Sequence, residues 1–581
     1  MPRSREESVR VIPKLVANYI PRVIVRFRDN DNRAMPPAER TRIQEDEIKR
    51  YEDIERNPEQ YLGASWMRLV KQHGGLTIQK LITSVTPQQI IELSKKVLRS
   101  DRIHRPTNFL TYFAVRCPSA EIAQKVAKTL RNHELWPTIA GAYVEGGPAL
   151  PPGVALSTGE ADQQGHLESS LANPAGIDAK YAWTIPGGDG GGAQVGLQFV
   201  DLEYGWVLGH EDLPPIPDPI PTVAGQLSGD NDKDFQGHGT GTLGIVVAVN
   251  DNGKECVGIT PHVETTKVVS PWVLDRNTNS WTYSVANAIW AALALPLHPG
   301  DVLLLEVQTK SLSTITPHSP GKDYPVEVEE FEFLAIQHAT MNHDVIVIEA
   351  AGNKGEDLDP LTFSTWTATE FSLDPTNTKF KDSGAIMVGS ALSIPTHPRE
   401  PNNNYGARID CYAWANTIWT TGYDDTTGVP SDPRTSYFGF SGTSGASAII
   451  AGAALAIQGI AQIHQKGDLA NGRFSPNQLR DIFRNPATGS LSAKSRWDIF
   501  LNSNWDPMNN GDFSTWNADR IGAMPDLKKI INETLGITLM EPIARKLKDI
   551  LIKPAKIHGG PGPKKQSLRN KPAKAKRKLP K

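Results

Sequence analysis

Four short segments in the middle of the chain are almost entirely apolar, and they constrain the fold more than any other feature. They are VGLQFV (195–200), DVLLLEV (301–307), DVIVIEA (344–350) and AIMVGS (385–390), with helical stretches between them. Strands with this composition are buried on both faces, and their alternation with helices indicates a parallel sheet. The sequence therefore predicts an α/β fold, in which a mostly parallel sheet carries helices on both faces. In such sheets, sites gather at the carboxyl ends of the strands.

A fifth segment, FGFSGTSGASAIIAGAALAIQ (438–458), predicts a helix that is small and apolar on every side from Ala446 onward. Such a helix exposes no polar face, so it fits only in the centre of a domain. Ser444 lies at its N-terminus, where backbone N–H groups lack intrahelical partners and the helix dipole favours negative charge. A tetrahedral oxyanion could use both features, although Ser444 or Ser441 could instead simply cap the helix.

Two further segments carry candidate catalytic groups. VGLQFVD places Asp201 at the end of a buried strand, where a carboxylate is costly unless it is hydrogen-bonded. QGHGTGT (236–242) places His238 between glycines that let backbone pack closely where a helix begins. Taken separately, Asp201 could be a strand-end turn or helix cap, and His238 could be a core histidine.

The order Asp201, His238, Ser444 along the chain is the subtilisin order of a catalytic triad, unlike that of chymotrypsin or the α/β-hydrolases. Several segments between about 176 and 460 also resemble motifs of the subtilisin-like serine proteases (subtilases). These segments are GHGTGT, SGTSGASA, VDLEYG with HEDL (210–213), VIEAAGNKG (347–355), CVGITP (256–261) and NYGARIDCYA (404–413).

The resemblance implies a serine endopeptidase that works through an acyl-enzyme intermediate. Ser444 would attack the scissile carbonyl, His238 would act as general base, and Asp201 would orient the imidazole. Asn353 would donate its side-chain amide to the oxyanion, together with the Ser444 N–H. Seven residues are predicted to line the substrate cleft: Leu305, Glu306, Val307, Gln308, Ala350, Ala351 and Gly352. The partners expected are protein or peptide substrates, and the chemistry requires no cofactor.

The sequence also departs from the family pattern. Leu202 and Glu203 stand where the family usually has Thr or Ser and Gly, Gly241 replaces a second histidine, and Ala448 replaces a proline. LEVQT (305–309) replaces the family's S-L-G-type strand, so no cleavage specificity is predicted. Two other functions stay open: a catalytically inactive protein that binds peptides in the same cleft, and an amide or ester hydrolase with a non-protein substrate.

Residues 1–150 predict a small α+β domain with strands at 22–29, 111–117 and 138–145. They also predict helices that begin at Thr86-Pro87 and near residue 119. In position and elements this unit resembles the family's propeptide, which implies synthesis as a zymogen with an intramolecular inhibitor. A permanent regulatory domain is the alternative. The other predicted divisions are a linker (151–175), the protease domain (176–500), a helical extension (501–552) and a basic disordered tail (553–581).

Composition restricts the possible functions less than these motifs do. The tail carries eleven Lys and Arg and no acidic residue, so it is a solubilising segment or one that contacts anionic surfaces. Asp230, Asp232 and Asp234 alternate like the start of a calcium loop but lack its later ligands, which leaves them a weak structural-calcium candidate. No apolar run reaches about 18 residues and no secretory signal is visible, so no membrane span and a cytoplasmic location are predicted, with signal-less export left open. Three cysteines indicate no disulfide framework.

Overall fold

The computed structural model of the protein describes thirteen stretches of the chain: residues 18–29, 37–95, 107–149, 164–217, 226–227, 236–275, 280–310, 315–316, 322–364, 370–395, 397–423, 432–491 and 520–538. The chain divides after residue 538 into two compact units, and every described residue belongs to the first. Asp230, Asp232, Asp234, most of the predicted linker and the basic tail lie outside the described residues.

The N-terminal part is an antiparallel sheet of order β2-β3-β1-β4. Its elements are β1 (Val23–Phe27), α1 (Pro37–Asp53), α2 (Pro58–His73), β2 (Thr77–Lys80), α3 (Pro87–Lys95), β3 (Tyr112–Arg116), α4 (Ala120–Leu130) and β4 (Ile139–Val144). Local signals explain the helix starts. Thr86 and Gln89 cap each other's backbone N–H groups before α3, and Ser119 accepts from the Ile122 N–H to begin α4.

The alternating pattern of residues 22–29 predicts a half-buried strand, but β1 is almost wholly buried. Helix α4 contacts β1 and β4, and the apolar residues of the sheet continue into one hydrophobic cluster with residues of Val285–Leu293 and Glu330–Asn342. The ring of Phe109, for example, meets Trp290 at 4.9 Å and Phe331 at 6.0 Å between centroids. This strand is buried by a long-range contact, which its local pattern does not record.

The predicted parallel sheet is confirmed. Eight strands lie in the order β21-β22-β18-β17-β14-β10-β5-β7, all parallel except the edge strand β21. The strands are β5 (Gln198–Leu202), β7 (Thr265–Val269), β10 (Val302–Leu305), β14 (Ile346–Ala350), β17 (Ile386–Ala391), β18 (Cys411–Trp414), β21 (Gly489–Leu491) and β22 (Ala523–Pro525). Strand β22 comes from the segment for which the sequence predicts a helical extension.

The helices of this part are α5 (Ala179–Ala182), α6 (Gln236–Val247), α7 (Val285–Leu293), α8 (Glu330–Asn342), α9 (Gly442–His464), α10 (Pro476–Arg484) and α11 (Leu527–Lys529). Short strands form small sheets beside the main one: β6 (Gln226–Leu227), β8 (Trp272–Asp275), β9 (Ser280–Tyr283), β11 (Gln308–Thr309), β12 (Ile315–Thr316), β13 (Tyr324–Pro325), β15 (Thr362–Ser364), β16 (Glu370–Ser372), β19 (Ile418–Thr421) and β20 (Tyr437–Phe440).

Helix α9 is the predicted central helix, and it packs on β10, β14, β17 and β18 and against α6. Its one fully buried amide, Gln458, is satisfied because it exchanges hydrogen bonds with both backbone groups of Phe474, each at 2.8 Å. Among the described helices, α9 alone is long and apolar enough to cross a membrane. Nearly all of it is buried in the protein, and core helices commonly pass that test, so this is weak evidence for a span.

Arg408 is a fully buried cation that joins the loop before α8 to strands β17 and β18. Its guanidinium makes two hydrogen bonds to Glu327, at 2.8 and 2.9 Å, one to Asp410 at 2.8 Å and one to the Ala385 carbonyl at 3.0 Å. A charge at this depth is tolerated because its partners are ionised and hydrogen-bonded.

Replacing Arg408 by Ala should therefore lower the free energy of unfolding by about 3–5 kcal/mol, since Glu327 would stay buried without its cation, whereas Asp410 would keep its pair with Arg484. Thermal and urea unfolding of the chain, in a Ser444→Ala background that prevents self-digestion, would measure the loss. The control is Lys379→Ala, which breaks an exposed pair with Glu370 and should cost less than about 1 kcal/mol. Equal losses in both variants would contradict the assignment.

Candidate active site

His238 lies in the first turn of α6, and the glycine that follows it lets the chain after β5 come close. A Cβ on Gly239 would stand 2.3 Å from the Gly205 carbonyl oxygen and 2.7 Å from Cγ of Glu203. Only glycine leaves that space free. The predicted reason for the glycines around His238 is confirmed at this position.

The imidazole of His238 contacts a carboxylate directly. Nδ1 of His238 lies 2.5 Å from Oε2 of Glu203, and both side chains are buried. The other oxygen of Glu203 accepts the backbone N–H of Tyr204 at 2.6 Å. The ring of Phe440 packs edge-on against the imidazole at 4.8 Å between centroids. The imidazole is thus held by a carboxylate at one nitrogen and by an aromatic ring at its face.

Asp201 does not occupy the position predicted for it. Its Oδ2 accepts from the indole N–H of Trp206 at 2.7 Å, and its Oδ1 makes no hydrogen bond within the described part of the chain. Asp201 and Glu203 are two residues apart, so extended backbone sends both side chains to the same face of the sheet. Glu203 lies further toward α6 and is longer by one methylene, so it reaches the imidazole while Trp206 occupies Asp201. The prediction that Asp201 orients the base is corrected accordingly.

A second carboxyl group lies beside the same imidazole. Glu306 follows β10, and its Oε1 lies 2.5 Å from Oγ of Ser447 in α9. One ligand-type atom from each of Glu203, His238 and Glu306 falls within 4.8 Å of the others. Burial raises the pKa of the Glu306 carboxyl well above its usual range, and the charge of Glu203 raises it further. The neighbouring His238 lowers that pKa, but burial is the larger effect.

Ser444 is the third residue of α9 and is almost fully buried. Ser447, one turn later, contacts Glu306, and Glu306 lies within 4.8 Å of the His238–Glu203 pair. Together with the packing of α6 on α9, this chain of contacts brings the first turn of α9 to the imidazole. The candidate nucleophile and base therefore come from two helix N-termini that meet above the carboxyl ends of β5 and β10.

Asn353 lies at the N-terminus of the same helix. Its Oδ1 accepts the N–H of Thr443 at 2.8 Å, and its Nδ2 lies 3.3 Å from Oε1 of Gln308. The backbone N–H of Gly352 donates to the Thr443 hydroxyl at 3.3 Å. The Asn353 amide is thus fixed one residue away from Ser444, beside N–H groups that have no intrahelical acceptor.

In the predicted cleft wall, the backbone of Gln308–Thr309 is already paired on both sides. Strand β13 covers one side of Gln308–Thr309, and residues 147–149 cover the other. The Ala149 N–H donates to the Gln308 carbonyl at 3.2 Å, and the Lys310 N–H donates to the Gly147 carbonyl at 2.9 Å. Two predicted wall residues have other contacts, since Glu306 meets Ser447 and Gln308 accepts from Asn353. Leu305, Val307, Ala350 and Ala351 are buried.

Sequence reasoning missed Glu203 as a functional candidate and placed Glu306 only in the cleft wall, although it noted both as departures from the family pattern. The available signal was chemical. An ionisable side chain after each of two adjacent buried strands, β5 and β10, predicts that the two carboxyls share one edge of the sheet. With His238 they form a set that could also bind a divalent cation. Glu203 Oε2 contacts His238 and Glu306 Oε1 contacts Ser447, while Glu306 Oε2 makes no hydrogen bond within the described residues.

Comparison with solved structures found distant similarities. Similar solved structures include fervidolysin from Fervidobacterium pennivorans, described as a keratinolytic enzyme related to subtilisin (15% identity, TM-score 0.45, covering 78% of this chain and 60% of that one). They also include the prenylagaramide maturation protease PagA (16%, 0.37, 62% and 99%) and a protease from Pseudoalteromonas arctica (19%, 0.37, 57% and 93%). The chain thus spans about 60% of the length of fervidolysin, and these similarities are too distant to transfer a substrate.

A search of curated proteins found no match. The sequence model of the Subtilase family matches residues 222–536, which is more than half of the chain. The match includes His238, Asn353 and Ser444 but begins after Asp201 and Glu203, the part of the site that departs from the family pattern. The chemistry of this family needs no cofactor. The chain belongs to the subtilase family.

Proposed function

We propose that the protein hydrolyses peptide bonds through Ser444 as nucleophile and His238 as general base, and that it is made as a zymogen. The observation that carries this proposal is the buried contact of 2.5 Å between His238 Nδ1 and a carboxylate, at a helix N-terminus that packs on the helix of Ser444. An acceptor at Nδ1 makes Nε2 the basic nitrogen of the imidazole, which is the atom that takes a proton from a nucleophile.

The proposed steps follow the established chemistry of such sites. Ser444 Oγ attacks the scissile carbonyl while His238 takes its proton, and the imidazolium then protonates the leaving amine. Water, activated by the same imidazole, cleaves the acyl-enzyme. The oxyanion of each tetrahedral intermediate would be bound by the Asn353 amide and the Ser444 N–H. Asn353 Nδ2 has only a long contact of 3.3 Å to exchange for this stronger one.

The alternative is an inactive protein that binds peptides in the same cleft. Burying an imidazole against a carboxylate costs free energy, and peptide binding alone does not require it. The fixed amide of Asn353 beside Ser444 is a second group that catalysis would use. These features favour the active enzyme.

The N-terminal domain is proposed to block the cleft until it is cut from the protease. Residues 147–149 add to the edge of Gln308–Lys310 as an extended peptide would, with backbone hydrogen bonds in antiparallel register. The Tyr204 hydroxyl also donates to the Ala149 carbonyl at 2.7 Å. A substrate needing this edge would have to displace the chain's own segment.

Other contacts hold the N-terminal domain on the protease. Arg22 pairs with Glu145 at 2.7 Å and donates to the Tyr283 carbonyl at 2.8 Å. The N–H groups of Thr83 and Ser84 both donate to Oδ1 of Asn287 at 2.8 Å. Together with the shared hydrophobic cluster, these buried contacts resemble those of an obligate interface. We therefore expect the N-terminal domain to leave the protease domain only after the chain is cut.

The first test of the proposal is covalent. A fluorophosphonate probe should label the processed wild-type protein at Ser444, and a casein-type substrate should be digested. Ser444→Ala should remove labelling and lower kcat by about a million-fold, the loss known for the nucleophile of a related enzyme. Failure of the wild type to label after removal of the N-terminal domain would end the enzyme proposal, and digestion of small esters without casein would favour a non-protein substrate.

A second test concerns the oxyanion. Asn353→Asp keeps an acceptor for the Thr443 N–H but removes the donor, so kcat should fall by at least about 10²–10³-fold with a smaller change in KM. Thermal unfolding should change little, because the contact to the helix N-terminus is retained. A kcat within a few-fold of the wild type would contradict the role of Asn353.

A third test concerns activation. Intact mass and N-terminal sequencing of purified wild type should show a new N-terminus within residues 150–163, the segment that follows the paired residues. The Ser444→Ala chain should stay at full length, because the cut requires the protein's own nucleophile. An identical new N-terminus in Ser444→Ala would show that another protease makes the cut, and full-length wild type with full activity would exclude the zymogen.

A further inference from the structure

We propose that Glu203, two residues beyond the aspartate at the end of β5, is the positioning residue for the catalytic base, and that Asp201 serves Trp206 instead. This inference rests on the proposed function and adds to it the carboxylate on which His238 depends. It assigns the role to a position that the family usually fills with a small residue.

The geometry around Glu203 is that of an orienting carboxylate. Oε2 receives Nδ1 of His238 at 2.5 Å, and Oε1 is fixed by the Tyr204 N–H at 2.6 Å, so the carboxyl group cannot rotate freely. An acceptor at Nδ1 selects the tautomer with the proton on that nitrogen, which leaves Nε2 as the basic atom. The missing side chain at Gly239 provides the space for Glu203 beside the first turn of α6.

Asp201 is already used elsewhere. Its Oδ2 receives the indole N–H of Trp206 at 2.7 Å, and no hydrogen bond to His238 is present. This contact ties the loop after β5 back to the strand, and the same loop carries Glu203 and Tyr204. Asp201 therefore supports the loop that presents Glu203, without touching the imidazole itself.

Charge explains why one carboxylate suffices. Three buried carboxyl groups lie at this edge, on Asp201, Glu203 and Glu306, and burial raises the pKa of each. The charge of Glu203 raises the pKa of Asp201 and of Glu306 further. Glu203 also has contacts that stabilise an anion, from Nδ1 of His238 and the Tyr204 N–H. A charge on Glu203 therefore opposes ionisation of the other two.

The consequence for His238 has a definite sign. A carboxylate in contact favours the imidazolium, so it raises the pKa of the base, and neutral groups do not. In the described part of the chain, the groups at the imidazole include Glu203, Glu306 and the ring of Phe440. Loss of the Glu203 charge should therefore move the acid limb of the pH profile of kcat/KM to lower pH. Asp201→Asn should leave the limb in place, because Asp201 accepts its hydrogen bond from Trp206.

The experiment compares Glu203→Gln with Asp201→Asn in the full chain, using the rate of self-processing and the kcat of the processed enzyme. Glu203→Gln should lower both by about 10³–10⁴-fold, because an amide at Nδ1 selects the wrong tautomer, with KM changed only a few-fold. Its acid limb should shift to lower pH. Asp201→Asn should stay within about ten-fold of wild type with an unmoved limb, since an amide oxygen can still accept from Trp206.

Thermal unfolding of both variants checks that neither effect is a loss of folding, and Glu203→Asp should recover part of the rate because it restores the charge. Full activity in Glu203→Gln, or an equal loss with a shifted limb in Asp201→Asn, would overturn the proposal.

A measurement that needs no activity separates this proposal from the proposed function. In the Ser444→Ala chain, the Nδ1 proton of His238 should give a strongly downfield proton resonance, as a hydrogen bond to a buried carboxylate does. The resonance should persist in Asp201→Asn and vanish in Glu203→Gln and in His238→Ala. Its loss in Asp201→Asn with retention in Glu203→Gln would reject the role of Glu203, whether or not the wild type cleaves peptides.

Discussion

The burial of one apolar helix fixes the position of everything else in the site. Helix α9 packs on β10, β14, β17 and β18, and a Cβ on Gly459 would stand 2.2 Å from the Gly187 carbonyl oxygen. A helix packed this closely cannot shift along its axis without steric conflict. Its N-terminus is therefore a fixed point at the carboxyl edge of the sheet, and Ser444, the Thr443 N–H and the Ser447 hydroxyl are positioned by the same packing.

The site is built around that fixed point by contacts from several loops. Asn353 reaches the helix from the end of β14, Glu306 from the end of β10, and His238 from α6, which packs on α9. Each group touches the first turn of α9 or a residue that does. The same edge also receives the segment 147–149, so the N-terminal domain and the catalytic groups meet at one end of the sheet. The proposed catalytic groups and the domain proposed to block them thus share one surface.

Much of this arrangement follows from the sequence because its causes are local. Runs of apolar residues predict the parallel strands, and the featureless apolar helix predicts the domain centre. The motifs around His238 and Ser444 predict a shared site. Hydrogen bonds that depend on how the chain folds back are harder to predict from the sequence. Whether Asp201 or Glu203 reaches the imidazole depends on Trp206 returning to Asp201 and on the space at Gly239, and neither leaves a periodic signal. The burial of β1 was likewise hidden, because α4 packs on it from a distance in sequence.

The hydrogen bond from the Trp206 indole to Asp201 makes substitutions at this site depend on one another. While it occupies Asp201, removing Glu203 leaves the imidazole with no carboxylate acceptor, and removing Trp206 alone leaves two carboxyls competing for one ring. A change from one acceptor to the other must therefore alter at least two positions together, and each single intermediate is worse than either end point. Descendants of this chain are thus expected to keep Asp201, Glu203 and Trp206 as a set or to exchange them as one.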